Sequence, residues 1–246
     1  FIKADTAFHP ENFYAGEDAF LTDGNRIWGV PFGSSMTVMY YNRDLFDQYG
    51  VAYPEIEWTW EGFLSAALAL RDPEADVFGY VPTSPEGAAD FVYQHGGRLY
   101  DDLRAPTDPT YDDPLTVEAL TWYAALFHEH DVAPTPDQAR DAFGGSADGA
   151  IYTAIRNGQV GMWMGELWEQ GGWGEGAEWD FAWGMVPLPR DARAATLVTS
   201  DQLFIFADAR NPDACWQWLS FVGERLPPDW LAPMRRSLGE SEDYER

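Results

Sequence analysis

Positive charge is scarce in this sequence. Of its 246 residues, 15 are lysine or arginine and 41 are aspartate or glutamate, which gives a formal net charge of -26 at pH 7. The negative charges are spread along the chain and do not form a long tail of one sign. A surface of this kind repels phosphate backbones and anionic membranes. We therefore expect no nucleic acid among the partners of this globular chain, of which 46% is apolar.

Cysteine and long apolar runs are also nearly absent. Cys215 is the only cysteine, so no disulfide can form within the sequence. Because Cys215 stands among apolar residues in a predicted helix, we expect a small buried side chain and not a reactive thiol. No run approaches the ~18 apolar residues of a membrane-spanning helix. Residues 1–5 lack the charged and apolar regions of a signal peptide, so we expect that a signal was removed or that the start is missing.

The sequence lacks the spacings that bind metals or phosphates. His128 and His130 are two apart in a predicted helix and point to different faces, which disfavours a zinc pair. Gly172, Gly174 and Gly176 do not lie between a strand and a helix as a nucleotide fingerprint would, and no P-loop is present. We predict no metal site, no cofactor and no catalytic residue.

Short β-rich runs alternate with helical periodicity, a pattern typical of an α/β fold. Strands are predicted at 27–30, 37–41 and 203–206. Asn42 and Thr59 can cap the helices that follow them. A last helix opening at Asn211-Pro212 is predicted to bury a stripe made of Ala214, Cys215, Trp218, Leu219 and Val222.

Several segments, taken in order, resemble the extracellular solute-binding protein family 1, which contains maltose-binding protein. Residues 23–46 (DGNRIWGVPFGSSMTVMYYNRDLF) are the most specific, since they resemble the family's crossing from one lobe to the other. The other matching segments are 58–63 (WTWEGF), 95–97 (HGG), 154–162 (AIRNGQVGM), 183–189 (WGMVPLP) and 211–216 (NPDACW). Together these segments span most of the sequence.

The resemblance implies an α/β, two-lobed periplasmic-binding-protein-like (class II) fold, with the N-terminal part of the first lobe missing from this chain. Residues 1–35 would be the remnant of the N-terminal lobe and the first crossing, 36–195 the C-terminal lobe, and 196–246 the second crossing and the return. The implied function is the substrate-binding component of an ABC importer. It would bind a sugar or oligosaccharide in an interlobe cleft, close about a hinge and deliver the ligand to the permease subunits.

The same resemblance implies an extracytoplasmic location, either periplasmic or lipid-anchored as a lipoprotein at the cell surface, and we expect a monomer. Its first implied site segment lies at the lobe crossing, at Phe32, Gly33, Ser34 and Ser35. Pro31 and Gly33 break a strand where a binding loop would stand, although an ordinary turn would show the same residues. Ser200, Asp201 and Gln202 resemble the second crossing, and Asp201 is the carboxylate expected to accept hydroxyl protons.

Tryptophan is plentiful, and flat aromatic rings suit the C–H faces of sugars. The resemblance implies a sugar-stacking role for Trp168, with Glu166 nearby in sequence, whereas Trp163 is predicted to be core. Ordinary burial is the competing interpretation of Trp168. Glu86, in a loop, is a further candidate that could equally be a solvated side chain.

A glycoside hydrolase or other carbohydrate-active enzyme is the alternative function. Aromatic residues and paired carboxylates would also serve an acid and a nucleophile acting on a sugar. In a sequence with 41 acidic residues, pairs arise by chance, and no catalytic motif places two carboxylates together. The ordered segments favour a receptor, and we expect no enzymatic activity.

Overall fold

The computed structural model describes residues 9–14, 21–23, 26–83, 87–103, 105–173, 178–225, 227 and 231–244. Its strands are β1 (Leu21–Asp23), β2 (Arg26–Asn42), β3 (Phe78–Val81), β4 (Val160–Glu166), β5 (Trp183–Val186), β6 (Val198–Leu203) and β7 (Ala232–Pro233). Its helices are α1 (Arg43–Tyr49), α2 (Trp60–Leu70), α3 (Gly87–His95), α4 (Pro114–His128), α5 (Pro136–Phe143), α6 (Ala147–Arg156), α7 (Pro212–Gly223) and α8 (Arg236–Gly239). Within these described ranges, no helix is long and apolar enough to pass through a bilayer.

The chain forms two compact units. Unit 1 consists of Phe1–Met36 with Val198–Arg246, and unit 2 is Thr37–Leu197. The division therefore falls within strand β2, one residue after Ser35, and again just before β6 begins. The sequence analysis expected lobe limits after residues 35 and 195, and that these two units are the lobes stays a prediction.

The described residues of unit 2 form a four-stranded mixed sheet and helices α1 to α6. The second part of β2 pairs antiparallel with β5 on one side and β4 on the other, and β4 pairs parallel with β3. The sheet order is thus β5-β2-β4-β3, with Met39 opposite both Met164 and Val186. β4 is almost wholly buried, and residues 37–42 of β2 are buried or half-buried, as expected for central strands covered on both faces.

The helices of unit 2 begin where the sequence offers capping side chains. Asn42 accepts a hydrogen bond from the Leu45 amide, and Thr59 accepts one from the Gly62 amide. Helix α1 ends at Gly50, whose φ of 67° is accessible to glycine at little cost. The apolar face of α2 then packs into the main core, which is rich in aromatic side chains.

Unit 1 is built on the first part of β2, which pairs antiparallel with β1, β6 and β7. The register between β2 and β6 shifts between Pro31 and Gly33, a local irregularity of the kind that a β-bulge produces. The buried apolar core of this unit comprises Phe13, Val30, Leu219 and Met234. This core is smaller than that of unit 2.

Two local predictions in unit 1 are wrong. The strand near residue 203 ends there, and Phe206 lies outside it with 86% of its surface exposed. Helix α7 forms from the Asn211 cap as expected, but it buries only Leu219 and Gly223. Cys215 is exposed and not buried, because the small core of this unit covers little of the surface of α7.

Candidate functional site

The candidate residues of unit 1 lie on two paired strands. Gly33 stands opposite Asp201 and Ser34 opposite Ser200, on β2 and β6. Phe32 and Ser35 belong to β2, and Gln202 to β6. The structure therefore brings the two predicted crossing segments together as neighbours in one sheet.

The interpretation of Phe32 to Ser35 as a loop is wrong, since these residues continue strand β2. Pro31 and Gly33 suggested a break, but β6 and β7 pair with this stretch from both sides, and the irregularity is confined to a bulge. Ser34 and Ser35 are consequently buried. The Ser34 hydroxyl donates to the Ala232 carbonyl at 3.4 Å, whereas the Ser35 hydroxyl has no partner among the described residues.

The β6 candidates are more accessible. Ser200 and Asp201 are exposed, and Gln202 is half-buried. The Gln202 side-chain amide donates to the Ser200 hydroxyl at 2.8 Å, which fixes one amide and one hydroxyl side by side. This edge of unit 1 offers the hydroxyl, amide and carboxylate groups that recognise sugar hydroxyls.

The candidates of unit 2 lie where β4 ends. Glu166 is the last residue of β4, and Trp168 follows in a single 3-10 helical turn, Leu167–Glu169. The Tyr40 hydroxyl donates to the carbonyls of Glu166 and Leu167, at 3.0 and 3.3 Å, and so anchors the turn to the sheet. Trp168 has 46% of its surface exposed and is not a core side chain.

Glu169 is a residue of this turn that the sequence analysis missed. It is buried, and its carboxylate accepts hydrogen bonds from the Glu166 amide at 2.9 Å and from the Trp173 indole at 2.7 Å. Burial raises the pKa of the Glu169 carboxyl, against the lowering effect of these two donors. The spacing of Glu166 and Glu169 is that of a capping box, which could have identified the interaction.

Asp90 is a second carboxyl group that the sequence did not single out. It is 1% exposed on α3, and its Oδ1 accepts a hydrogen bond from the Leu197 amide at 2.7 Å. Burial, with a smaller contribution from the charge of Glu166, raises the pKa of Asp90 to about 7, although the Leu197 amide opposes the shift. The bond holds α3 to the last residue of unit 2.

Most tryptophans of this region are structural. Trp163 is fully buried, as predicted, and its ring packs against Tyr40 and Trp179 at centroid distances of 5.8 and 4.9 Å. Trp173 is half-buried and held by Glu169. Trp168 is therefore the accessible ring of the set. Glu86 lies outside the described residues, and no group of three or more potential metal ligands lies together among those that are described.

The family model for bacterial extracellular solute-binding proteins matches residues 1–225. The chain belongs to this family. The family expected from the ordered sequence segments is therefore confirmed. A putative binding protein from Brucella abortus is 22% identical to this solute-binding protein over 224 residues, which are 89% of the chain and 51% of the relative. An arabinooligosaccharide-binding protein from Halalkalibacterium halodurans is 28% identical over 46% of the chain and 25% of the relative.

Solved structures confirm the fold class. An ABC substrate-binding protein from Listeria monocytogenes in complex with cycloalternan superposes with a TM-score of 0.78 and 26% identity, covering 99% of this chain and 61% of that one. The sugar-binding protein MalE from Xanthomonas citri superposes with a TM-score of 0.72 and 21% identity, covering 99% of this chain and 62% of that one. The fold is the α/β fold of the two-lobed periplasmic binding proteins. This solute-binding protein spans about half the length of the Brucella relative and three fifths of both solved chains.

Proposed function

We propose that this solute-binding protein captures a neutral sugar or oligosaccharide for an ABC importer. The observation that carries the proposal is the Trp168 ring, exposed beside Glu166 at the end of a buried strand in a protein of this family. An accessible indole offers an apolar face for a pyranose, and a neighbouring carboxylate accepts its hydroxyl protons. The ligands named for related solved proteins, among them cycloalternan and maltotetraose, support a saccharide.

The second set of proposed contacts is in unit 1. Ser200, Asp201 and Gln202 supply a hydroxyl, a carboxylate and an amide along β6. None of the proposed contact residues in either unit is lysine or arginine. Because a neutral ligand needs hydrogen bonds and no ion pair, this composition favours saccharides over phosphorylated or acidic solutes. The interlobe position of the ligand, implied by the family resemblance, stays a prediction.

The remaining parts of the proposal follow from family membership. The protein would act outside the cytoplasm, in the periplasm or lipid-anchored at the cell surface, as a monomer, and would deliver its ligand to permease subunits. Its action would be binding alone, in which a sugar stabilises the conformation that the permease recognises. The alternative of a carbohydrate-active enzyme predicts that an offered oligosaccharide is cleaved.

A melting screen with product analysis tests the proposal. The natural gene product is heated with maltotetraose, arabino-oligosaccharides, lactose and mannitol, and each mixture is then chromatographed. At least one saccharide should raise the melting temperature, because a ligand bound only by the folded state stabilises it, and it should be recovered uncleaved. Cleavage would establish the enzyme. No shift with any sugar in a broad panel would overturn the proposed function.

A further inference from the structure

Residues 190–197, which we call the linking segment, connect β5 to β6 and contain no helix or strand of their own. The segment ends at Leu197, the last residue of unit 2, and β6 begins at the next residue, Val198. Strand β6 carries residues 200–202, which are proposed saccharide contacts. Groups that fix the linking segment therefore also fix the point from which these contact residues continue the chain.

Two buried polar side chains of helix α3 hold the end of the linking segment. Asp90 Oδ1 accepts the Leu197 amide at 2.7 Å, and the Gln94 side-chain amide donates to the Ala195 carbonyl at 3.1 Å. Asp90 and Gln94 lie one helical turn apart on the same face of α3. The Gln94 side-chain oxygen accepts the Trp60 indole at 2.7 Å, which fixes its orientation. Burial of these polar groups is compensated by hydrogen bonds, and both side chains bind the linking segment.

The middle of the linking segment is bound to the C-terminal end of α3. The Arg193 guanidinium donates to the carbonyls of Tyr93 and Gly97, at 2.5 and 3.4 Å. A cation is favoured at this end of a helix, where carbonyls lack partners within the helix and the dipole is negative. Asp191 adds the hydrogen bond with His95, the last residue of α3. The linking segment is thus held along the whole of its contact with α3 by side chains.

The end of the linking segment is also bonded to the first residue of unit 2. The Thr196 hydroxyl donates to the Thr37 carbonyl at 2.7 Å, and the Thr37 amide donates to the Leu197 carbonyl at 3.1 Å. The chain passes between the two units immediately before Thr37 and immediately after Leu197. Both crossing points are therefore tied to each other within unit 2 and, through the Leu197 amide, to Asp90.

We propose that α3 positions the sugar-contacting residues 200–202 through the linking segment, with Asp90, Gln94 and Arg193 as positioning residues. The inference rests on the proposed function, because it takes residues 200–202 as saccharide contacts. A linking segment held in one path presents these residues in one arrangement, so less order has to be imposed when the ligand binds. Releasing the segment from α3 lowers the affinity for the saccharide in a protein that is still folded.

Hydrogen exchange of the ligand-free gene product, followed by mass spectrometry, tests the positioning without any sugar. Arg193→Met removes the guanidinium bonds of an exposed side chain, so the variant should fold. Amides of residues 193–203 should exchange ~10-fold faster in it, because local opening becomes easier. The matched control is Arg140→Met, which removes an exposed arginine paired with Asp137 in α5 and should leave this exchange unchanged. Equal exchange in Arg193→Met and the wild type would overturn the proposal.

Calorimetric titration with the best saccharide from the melting screen tests the effect on binding. The titrations are made at about pH 6, where the Asp90 carboxyl is mostly protonated and asparagine is its closest substitute. Asp90→Leu and Arg193→Met should each weaken binding by ~10-fold, because more order must then be imposed by the ligand. Asp90→Asn, which keeps an oxygen for the Leu197 amide, should bind like the wild type, as should Arg140→Met.

The outcomes separate this inference from the proposed function. A merely structural role of Asp90 and Arg193 would lower the melting temperature and leave the affinity of the folded protein unchanged. Unchanged affinity in Asp90→Leu and Arg193→Met, beside a wild type that binds the saccharide, would overturn this inference alone. Absence of saccharide binding by the wild type would overturn the proposed function and this inference with it.

Discussion

Trp168 is the residue on which the proposed sugar contact depends most. Its ring is accessible, while the backbone of its turn is anchored by Tyr40. Trp168→Ala should therefore weaken saccharide binding by ~1 to 3 kcal/mol, the scale for losing an apolar face. Calorimetric titration measures the loss. The melting temperature of the ligand-free protein should stay close to that of the wild type.

The control for Trp168 is Tyr111→Ala, which removes another exposed aromatic ring of unit 2. Affinity should be unchanged in this variant. Trp163→Ala provides the opposite comparison, since loss of a fully buried tryptophan should cost ~3 to 5 kcal/mol of stability. A Trp168→Ala variant with normal affinity and a large loss of stability would remove Trp168 from the site.

Asp90 gives a pH dependence whose sign can be worked out. Its pKa of about 7 in the folded protein exceeds the ordinary 3.8, so between these values the folded state binds more protons than the unfolded state. Stability should then fall as pH rises through this range. Asp90→Asn keeps an oxygen for the Leu197 amide and removes the charge. Relative to this variant, the wild type should lose up to ~4 kcal/mol of unfolding free energy between about pH 4 and about pH 8.

Urea unfolding of both proteins across this pH range measures the effect. Asp90→Leu is a useful third protein, because it removes the charge together with the acceptor for the Leu197 amide. It should lack the pH dependence and also be less stable than Asp90→Asn. Parallel pH profiles for the wild type and Asp90→Asn would show that Asp90 ionises normally.

His95 should also make the protein less stable as pH rises. Its Nδ1 lies 2.5 Å from Asp191 Oδ2 and its Nε2 3.1 Å from Glu118 Oε2, and the ring stacks on Trp60. The hydrogen bond with Asp191 raises the pKa of His95 above 6.5. Burial opposes this shift but has the smaller effect. The stabilisation is therefore present below about pH 6.5 and lost as pH rises through the folded pKa.

The measurement is the unfolding free energy of the wild type and His95→Gln from about pH 6 to about pH 9. The difference between them should shrink as pH rises. His128→Gln, which alters an exposed histidine at the end of α4, should follow the wild type throughout. A constant difference between the wild type and His95→Gln would contradict a charged His95.

At the scale of elements, the contact between α2 and β3 can be tested at Gly79, with the exposed Gly62 of α2 for comparison. A Cβ at Gly79 would overlap the Ala67 carbonyl, so Gly79→Ala must push α2 away from the sheet. We expect a loss of ~1 to 3 kcal/mol or more. Gly62, in the first turn of α2, has only the Thr59 hydroxyl oxygen, at 3.9 Å, near its Cβ position. Gly62→Ala should stabilise the protein by ~0.5 to 1 kcal/mol.

Urea denaturation of the two alanine variants beside the wild type measures both effects. Opposite signs are expected, because Gly79 lies at the contact between α2 and β3 whereas Gly62 is exposed. A Gly79→Ala protein as stable as the wild type would show that α2 and β3 do not pack so closely.

The elements that the sequence predicted well are those with local signals. Asn42, Thr59 and Asn211 cap helices because their side chains need only the amides that follow them in the chain. The predictions that failed concern residues whose structure depends on contacts distant in sequence. Phe32 to Ser35 became strand because β6 and β7, over 160 residues away in sequence, pair with it. No local pattern contains that information.

The candidate site also shows that local sequence patterns miss what depends on distant contacts. Trp163 could be assigned to the core from strand alternation, and it is buried. Asp90 could not be singled out, because its role depends on an amide 107 residues away. The burial of α7 was overestimated for a related reason: periodicity identifies an apolar face but not whether the described chain covers it.

At the scale of the whole molecule, the central claim is that this solute-binding protein binds a neutral saccharide and leaves it unchanged. The direct test is calorimetric titration of the natural gene product with the best saccharide from the melting screen, at low and high salt, with the ligand recovered afterwards. We predict one saccharide per molecule, an affinity that barely changes with salt because no ion pair is screened, and intact ligand. Steep loss of affinity with salt, a hydrolysed ligand, or no binding of any saccharide would contradict it.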